Sequence, residues 1–201
     1  MSTRARVLSL ALAVLVMAPA AAAAQTTMTA GLKAGVNSSI VTDEGNSSLK
    51  RLLGGIGGVF VGGDVNGKVG IQVEGLYSMR GAKDTSDNTE TTLRTNYIDV
   101  PVLLRVGAGN ASGMGFHIFT GPQVSYLLDA KVTGNDLSID VKDELEKIDF
   151  GWTLGVGLEA SRFLVDARYT MGLKDMNKAG SNFDNEMKNR TFAVMVGYRL
   201  K

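Results

Sequence analysis

From Phe150 to Ala160 the even positions are apolar, reading Phe150, Trp152, Leu154, Val156, Leu158 and Ala160. The odd positions are polar or small: Asp149, Gly151, Thr153, Gly155, Gly157, Glu159 and Ser161. Beyond Ser161-Arg162 the parity switches, and Phe163, Val165, Ala167, Tyr169, Met171 and Leu173 are the apolar set. A two-residue hairpin turn opposes Ala160 with Phe163, so both apolar rows fall on one face. The other face carries Glu159, Asp166, Arg168 and Lys174 among glycines and small residues. An apolar face backed by a charged one predicts a wall with lipid outside and a polar interior.

The same alternation recurs near residues 28–38, 53–64, 68–80, 95–107, 114–128, 149–161, 163–174 and 190–200. Most of these stretches have the ten or so residues that a tilted strand needs to cross a bilayer. The connections alternate in length. Val65-Asn66-Gly67, Ala108–Gly113 and Ser161-Arg162 are short, whereas 39–52, 81–94, 129–148 and 175–189 are long and polar. Short turns on one rim and long loops on the other predict an all-β, eight-stranded antiparallel up-and-down transmembrane barrel, with short turns and both termini in the periplasm. Local expectations follow. A three-residue loop with Gly67 in the left-handed position pairs Val61 with Ile71 and Val59 with Val73. Strand 95–107 points Ile98, Val100, Val102, Leu104 and Val106 outward and Tyr97, Asp99, Leu103 and Arg105 inward. Its Pro101 calls for a bulge or a local break, because a closed barrel has no free edge. Asp140–Ile148 is expected as a short loop helix capped by Asp140, with Val141, Leu145 and Ile148 on one side.

Composition sets the compartment. Arg4 and Arg6 precede an apolar run from Val7 to Met17, then Pro19 and an alanine tract ending at Ala22-Ala23-Ala24. This is the pattern of a cleavable secretory signal over residues 1–24, leaving 25–201 as the barrel domain. The apolar core is short for a membrane anchor, and no later segment has the continuous length of a membrane helix. Without Arg4 and Arg6, the 21 basic and 20 acidic residues become 19 and 20, a net charge of −1 that offers nothing to nucleic acid. The absence of cysteine removes lipoprotein anchors and disulfide frameworks.

Candidate chemistry lies on the inward rows: Lys33, Gln72, Glu74, Arg80, Asp99, Arg105, His117, Gln123, Glu159, Asp166, Arg168 and Arg199. Side chains fill an eight-stranded barrel, and charges held there must pair. A structural polar cluster of Lys33, Glu74, Asp99, Arg105, His117, Glu159, Asp166, Arg168 and Arg199 is therefore expected to close the lumen. Gly151, Gly155 and Gly157 are expected to make room for long Arg and Glu side chains. His117 is the single histidine. Ser125, the nearest inward serine on its strand, lies roughly 26 Å away at strand rise, too far for a catalytic dyad. One histidine and no cysteine argue against zinc. The run Gly62–Lys68 has the spacing of a phosphate loop, but Val69 follows and a strand stands where a helix must begin. No catalytic residue, cofactor or metal is assigned, and the chain is not read as an enzyme. The acidic loop residues Asp84, Asp87, Glu90, Asp184 and Glu186 do not follow a calcium-loop spacing. Lys50, Arg51, Lys83, Arg94, Lys174, Lys188 and Arg190 lie near the outer rim, where contact with lipopolysaccharide phosphates is an expectation. Phe150 and Trp152 near the long-loop end and Phe163 near the turn end fit aromatic girdles.

Several segments together resemble the PorT-like outer-membrane β-barrel proteins of the Bacteroidota and their relatives. They are Gly31–Asn37, Tyr97-Ile98-Asp99-Val100-Pro101-Val102-Leu103-Leu104-Arg105, Gly121-Pro122 with Tyr126-Leu127-Leu128, Arg168-Tyr169 with Gly172-Leu173, and Val196-Gly197-Tyr198-Arg199-Leu200. The chain departs from that pattern in having Asp99 where glutamate is commoner and in ending Leu200-Lys201 rather than on an aromatic. The resemblance implies a barrel in the outer membrane and no particular activity.

The expected protein is thus exported to the outer membrane of a Gram-negative bacterium, with a side-chain-filled lumen and a structural or loop-mediated interaction role. Its expected partners are outer-membrane lipid and lipopolysaccharide, the barrel assembly machinery during insertion, and proteins met through the long loops. Alternatives are a narrow channel or small-solute transporter, an outer-membrane enzyme acting on lipid or peptide, and a soluble periplasmic lipid-binding barrel with an apolar interior.

Overall fold

The computed structural model describes residues 26–43, 49–65, 68–86, 89–109, 114–134, 137–174 and 187–200; the leader at 1–24 and the acids Asp87, Asp184 and Glu186 lie outside them. The strands are β1 (Thr26–Asp43), β2 (Leu49–Val65), β3 (Val69–Ser86), β4 (Thr89–Gly109), β5 (Met114–Gly134), β6 (Leu137–Asp140), β7 (Ile148–Ala160), β8 (Phe163–Gly172) and β9 (Met187–Arg199). Each barrel strand pairs antiparallel with its neighbour in the order β1-β2-β3-β4-β5-β7-β8-β9, and β9 returns to β1. The ring is a closed eight-stranded barrel. The short β6 pairs only with the end of β5, above the point where β7 takes over that edge.

The β7–β8 hairpin has the register that parity demands, with Ala160 opposite Phe163 and Gly151 opposite Gly172. Ser161 in its turn has φ 57°, the left-handed region. At the β2–β3 turn the loop is three residues long, but Val65 pairs with Val69 and Val61 with Val73, two positions from the expected register. A shift of two leaves every side chain on its expected face, which is why alternation alone does not detect it. A strand follows this turn, so the phosphate-loop spacing there has no helix; Asn66 and Gly67 themselves lie outside the described residues.

Three stretches expected as loops are mostly strand. The β3–β4 ladder continues to Ser86 opposite Thr89, β1 and β2 extend through much of 39–52, and the end of β5 with β6 takes up about half of 129–148. Most of 175–189 lies outside the described residues. Strands β1 to β5 have 17 to 21 residues against 10 to 13 in β7 to β9. About ten residues cross a bilayer, so one side of the barrel rises well beyond it. The threonines of this extension suit a strand, since β-branching favours strands without requiring apolarity.

Pro101 interrupts the ladder without a bulge. Pairing with β3 breaks between Val73–Val102 and Leu76–Asp99 but resumes in the same register, since a missing donor costs a bond and does not require an extra residue. The irregularities lie elsewhere, between Asn96 and Tyr97 on the β5 side and between Arg51 and Ile56 on the β3 side. Near the second, Gly81 has φ 154°, and an added Cβ would stand 1.9 Å from the Leu93 carbonyl oxygen. Its N–H donates to the inward Ser39 hydroxyl at 2.8 Å. The expected helix at 140–148 reduces to a 3-10 turn at Lys142–Glu144, although Asp140 Oδ1 does accept from the Lys142 N–H at 2.9 Å. Val141 and Leu145 pack together as expected, whereas Ile148 points outward.

The outward rows are apolar through the middle of the wall. Val59, Ile71, Leu154, Leu158 and Val196 are each more than half exposed. A continuous belt of this kind is untenable in water and is what a lipid-facing wall requires. Trp152 Nε1 donates to Thr120 Oγ1 at 2.8 Å, and Phe163 packs edge-on to Tyr198 at 5.4 Å near the turns. Both are aromatic positions suited to a membrane interface.

Candidate functional site: the charged lumen

Closure of the sheet turns the inward rows toward one another, and the turn-side half of the lumen fills with ions. Lys33 on β1 donates to Glu74 Oε1 at 3.0 Å and also pairs with Asp166. Arg168 on β8 bridges the same two acids, reaching Glu74 Oε2 at 2.5 Å, Glu74 Oε1 at 3.1 Å and Asp166 Oδ2 at 3.1 Å. Strands β3 and β8 stand opposite each other in the ring, so the Arg168–Glu74 contact spans the lumen. All four side chains are buried. Burial of bare charges is costly, and it is tolerated here because each carboxylate has several donors.

Toward the turns a second tier forms around Glu159. Arg105 pairs with it, and Arg199 Nη2 donates to Glu159 Oε2 at 2.5 Å. Gln72 links the tiers, donating to Glu74 Oε1 at 2.5 Å and accepting from Arg105 Nη1 at 3.2 Å. His117 stands between the acids, with Nδ1 3.6 Å from Glu159 Oε1 and Nε2 3.7 Å from Asp166 Oδ1. Its ring leans on Phe119 at 5.7 Å between centroids. Among the described residues no serine hydroxyl bonds to His117, and Ser125 instead accepts from Gln123 Nε2 at 3.1 Å.

Of the nine residues expected in one cluster, eight are joined: Lys33, Glu74, Arg105, His117, Glu159, Asp166, Arg168 and Arg199. Asp99 is not. It pairs with Arg80 in a separate loop-side layer, where Arg80 Nε also donates to Ser78 Oγ at 3.3 Å and the guanidinium lies 5.0 Å from the Tyr97 ring. The reason is height. Asp99 sits about ten residues from the turn end of its strand, against five or fewer for Glu74, Asp166 and His117.

The glycines of β7 are also recast. A Cβ on Gly157 would lie 2.3 Å from His117 Nε2, and one on Gly155 would lie 2.4 Å from Phe119 Cζ. They make room for an imidazole and a phenyl ring on the adjacent β5 rather than for long Arg and Glu chains. A Cβ on Gly151 would lie 2.9 Å from the Met171 carbonyl oxygen, a backbone neighbour.

Two parts of the site escaped the sequence pattern. One is aromatic: Phe60 underlies Lys33 at 4.9 Å, and Phe119 underlies Arg168 at 5.1 Å, cation–π contacts inside the lumen. Both rings are buried on the inward face, but nothing in the sequence pairs them with a cation. The other is the mouth. Leu145, from the segment between β6 and β7, is buried against Ala82, Tyr97, Leu127 and Ala130. Backbone bonds from Val141 N to the Ala130 carbonyl at 3.0 Å and from Leu127 N to the Lys147 carbonyl at 2.9 Å hold that segment over the opening. Among the described residues no three His, Asp or Glu side chains converge to hold a metal ion.

A closed barrel with a lipid-facing apolar belt and an ion-paired interior defines an integral membrane protein of the outer-membrane barrel class. The chain matches the outer membrane protein beta-barrel domain family over residues 23–178 and belongs to it. It resides in the outer membrane. No protein with a curated description matches it. Among solved structures it is similar to Neisserial surface protein A, at 12% identity over 86% of this chain and 98% of that one with a TM-score of 0.49. It is also similar to the outer membrane protein OprG from Pseudomonas aeruginosa, at 11% identity over 87% and 95% with a TM-score of 0.48. A third similar structure is the attachment invasion locus protein of Yersinia pestis, solved with the heparin analogue sucrose octasulfate, at 16% identity over 86% and 99% with a TM-score of 0.43.

Proposed function

We propose that this outer-membrane barrel is a closed, non-catalytic scaffold whose role is structural or interactive, exerted through the extended loop-side wall. The observation that carries the reading is the Arg168–Glu74 contact between opposite strands, flanked by Lys33, Asp166 and the Glu159 tier. A solute crossing the lumen must break several buried ion pairs at once, which is costly. Leu145 adds an apolar obstruction at the other end. Histidine is held by carboxylates rather than by a hydroxyl nucleophile, so acyl transfer has no partner group beside it among the described residues. The run from Tyr97 to Arg105 supports a finer kinship with PorT-like barrels, in which Asp99 serves as the inward acid paired with Arg80. Contacts with partner proteins fall to the extended hairpins, and passage through the barrel assembly machinery accompanies insertion.

Planar-bilayer recording of the refolded protein tests the closed lumen. The expected trace shows no steady conductance. Reproducible single-channel steps would return the narrow-channel reading to first place.

A further inference from the structure

Among the acids of the lumen, Asp149 stands apart. Glu74, Asp99, Glu159 and Asp166 each pair with at least one cation. Asp149, at the loop-side end of β7, is buried, forms no ion pair among the described residues and has an Oδ1 with no hydrogen-bond partner there. It shares a rung with Asp99, since Asp149 opposes Ser125 on β5 and Ser125 opposes Asp99 on β4. All three are buried on the inward face. The cation that acts on Asp149 is Arg80, which is committed to Asp99. Lys174, just past β8, pairs with Glu146 at the rim, 2.9 Å away. Two carboxylates against one guanidinium leave this layer one negative charge in excess. A buried carboxylate without a partner is costly.

The groups around Asp149 supply oxygens. Asn189 on β9 reaches toward its carboxylate, is 3% exposed, and has no hydrogen-bond partner among the described residues for either Oδ1 or Nδ2. Asp99 Oδ1 and Thr191 Oγ1 are buried and unpartnered in the same way. Asp166 Oδ1 in the turn-side cluster is unpartnered too, but that carboxylate already serves Lys33 and Arg168. Between Asp149 and Asn189 the wall is β8, whose last residue, Gly172, puts no side chain there. In the ring β7 stands two strands from β4 and two from β9, so Asp149 is flanked by Asp99 on one side and Asn189 on the other. We propose that this layer binds one monovalent cation, seated on the Asp149 carboxylate and Asn189 Oδ1, with Asp99 Oδ1 and the Thr191 hydroxyl completing an oxygen set. Oxygen ligands without imidazole or thiolate select a hard cation. The single charge follows from the balance, because one positive charge brings the layer to neutrality whereas a divalent ion buries an excess positive one. The ion enters past the Leu145 segment, which two backbone bonds tie to β5 and which opens locally.

The test uses the full protein refolded into phosphatidylcholine vesicles. Urea unfolding is followed in sodium, potassium, ammonium or choline chloride at equal ionic strength, with choline, too large for the layer, as the reference. Sodium or potassium raises the unfolding midpoint by about 0.5 M in a saturable way. Asp149→Asn abolishes that rise, and in choline it unfolds at no lower urea than the unmodified protein, because it removes a charge that has no counterion. Asn189→Ala halves the rise, which keeps the test open should Asp149→Asn fail to fold. Asp140→Asn, exposed and outside the lumen, leaves the rise unchanged. A rise in ammonium alone supports the site and assigns it to an ammonium group. Equal midpoints in all four salts overturn the proposal, as does an undiminished rise in Asp149→Asn. Loss of the rise in Asp140→Asn overturns it too, since the effect is then diffuse. A midpoint that moves with calcium chloride and not with sodium or potassium overturns the monovalent assignment.

Discussion

The two halves of the lumen are closed by different means. On the turn side, Glu74, Asp166 and Glu159 each serve at least two cations contributed by different strands, and the cluster is tied together by Gln72 and His117. On the loop side of the lumen the described residues form a single ion pair, Arg80–Asp99, beneath the apolar contact of Leu145 with Tyr97 and Leu127. Both halves hold buried polar atoms with no hydrogen-bond partner among the described residues, Asp166 Oδ1 and Arg168 Nε on the turn side and Asp99 Oδ1 and Thr191 Oγ1 on the loop side. A shared carboxylate makes the turn side cooperative, because losing one group strands several others. The loop side is modular, with a pair and a cap that fail separately.

The largest expected effect comes from breaking the shared acid. Glu74→Ala leaves Lys33 and Arg168 with Asp166 alone and should cost about 3–5 kcal/mol in equilibrium urea unfolding from lipid vesicles. A loss under about 1 kcal/mol would erase the distinction between the halves. Asp99→Ala should cost less, about 2 kcal/mol, because Arg80 keeps its bond to Ser78 and its contact with the Tyr97 ring. A double-mutant cycle sharpens the same point, since Lys33 and Arg168 should couple non-additively through Glu74 whereas Arg80 and Lys33 should simply add. Gly157→Ala should cost about 1–3 kcal/mol by overpacking against His117, and combining it with His117→Ala should recover part of that loss. The smallest global effect belongs to Leu145→Ser, under about 1 kcal/mol, because the cap is a local segment able to open without the barrel. Its signature is faster hydrogen exchange at the Val141 and Leu127 amides, the two that tie the segment to β5.

Much of the fold was legible because a β-strand repeats every two residues and a barrel has only two faces. The switch from even to odd parity across Ser161-Arg162 named the hairpin, its turn and its lipid face together. The inward identity of Lys33, Glu74, Arg105, Asp166 and Arg168 follows from the same count. Where parity carries no information, the reading failed. The β2–β3 register slipped by two residues because such a slip preserves every face. Polarity marked 81–94 as loop, yet its threonines continue the ladder, because β-branching favours a strand whether or not the residue is apolar.

By itself, then, the chain determined its strands, its membrane-facing rows and the list of charges destined for the interior, since these are properties of each residue and its near neighbours. Who pairs with whom was decided only by closure. Glu74 and Arg168 are 94 residues apart and sit on opposite strands, and they meet because the tilt and stagger of the closed sheet bring them to one height. The same geometry lifts Asp99 away from the acids it was grouped with and gives it to Arg80. Leu145 reaches the mouth because the segment between β6 and β7 folds back across it. Height within a barrel is a property of the whole ring, and no single strand encodes it.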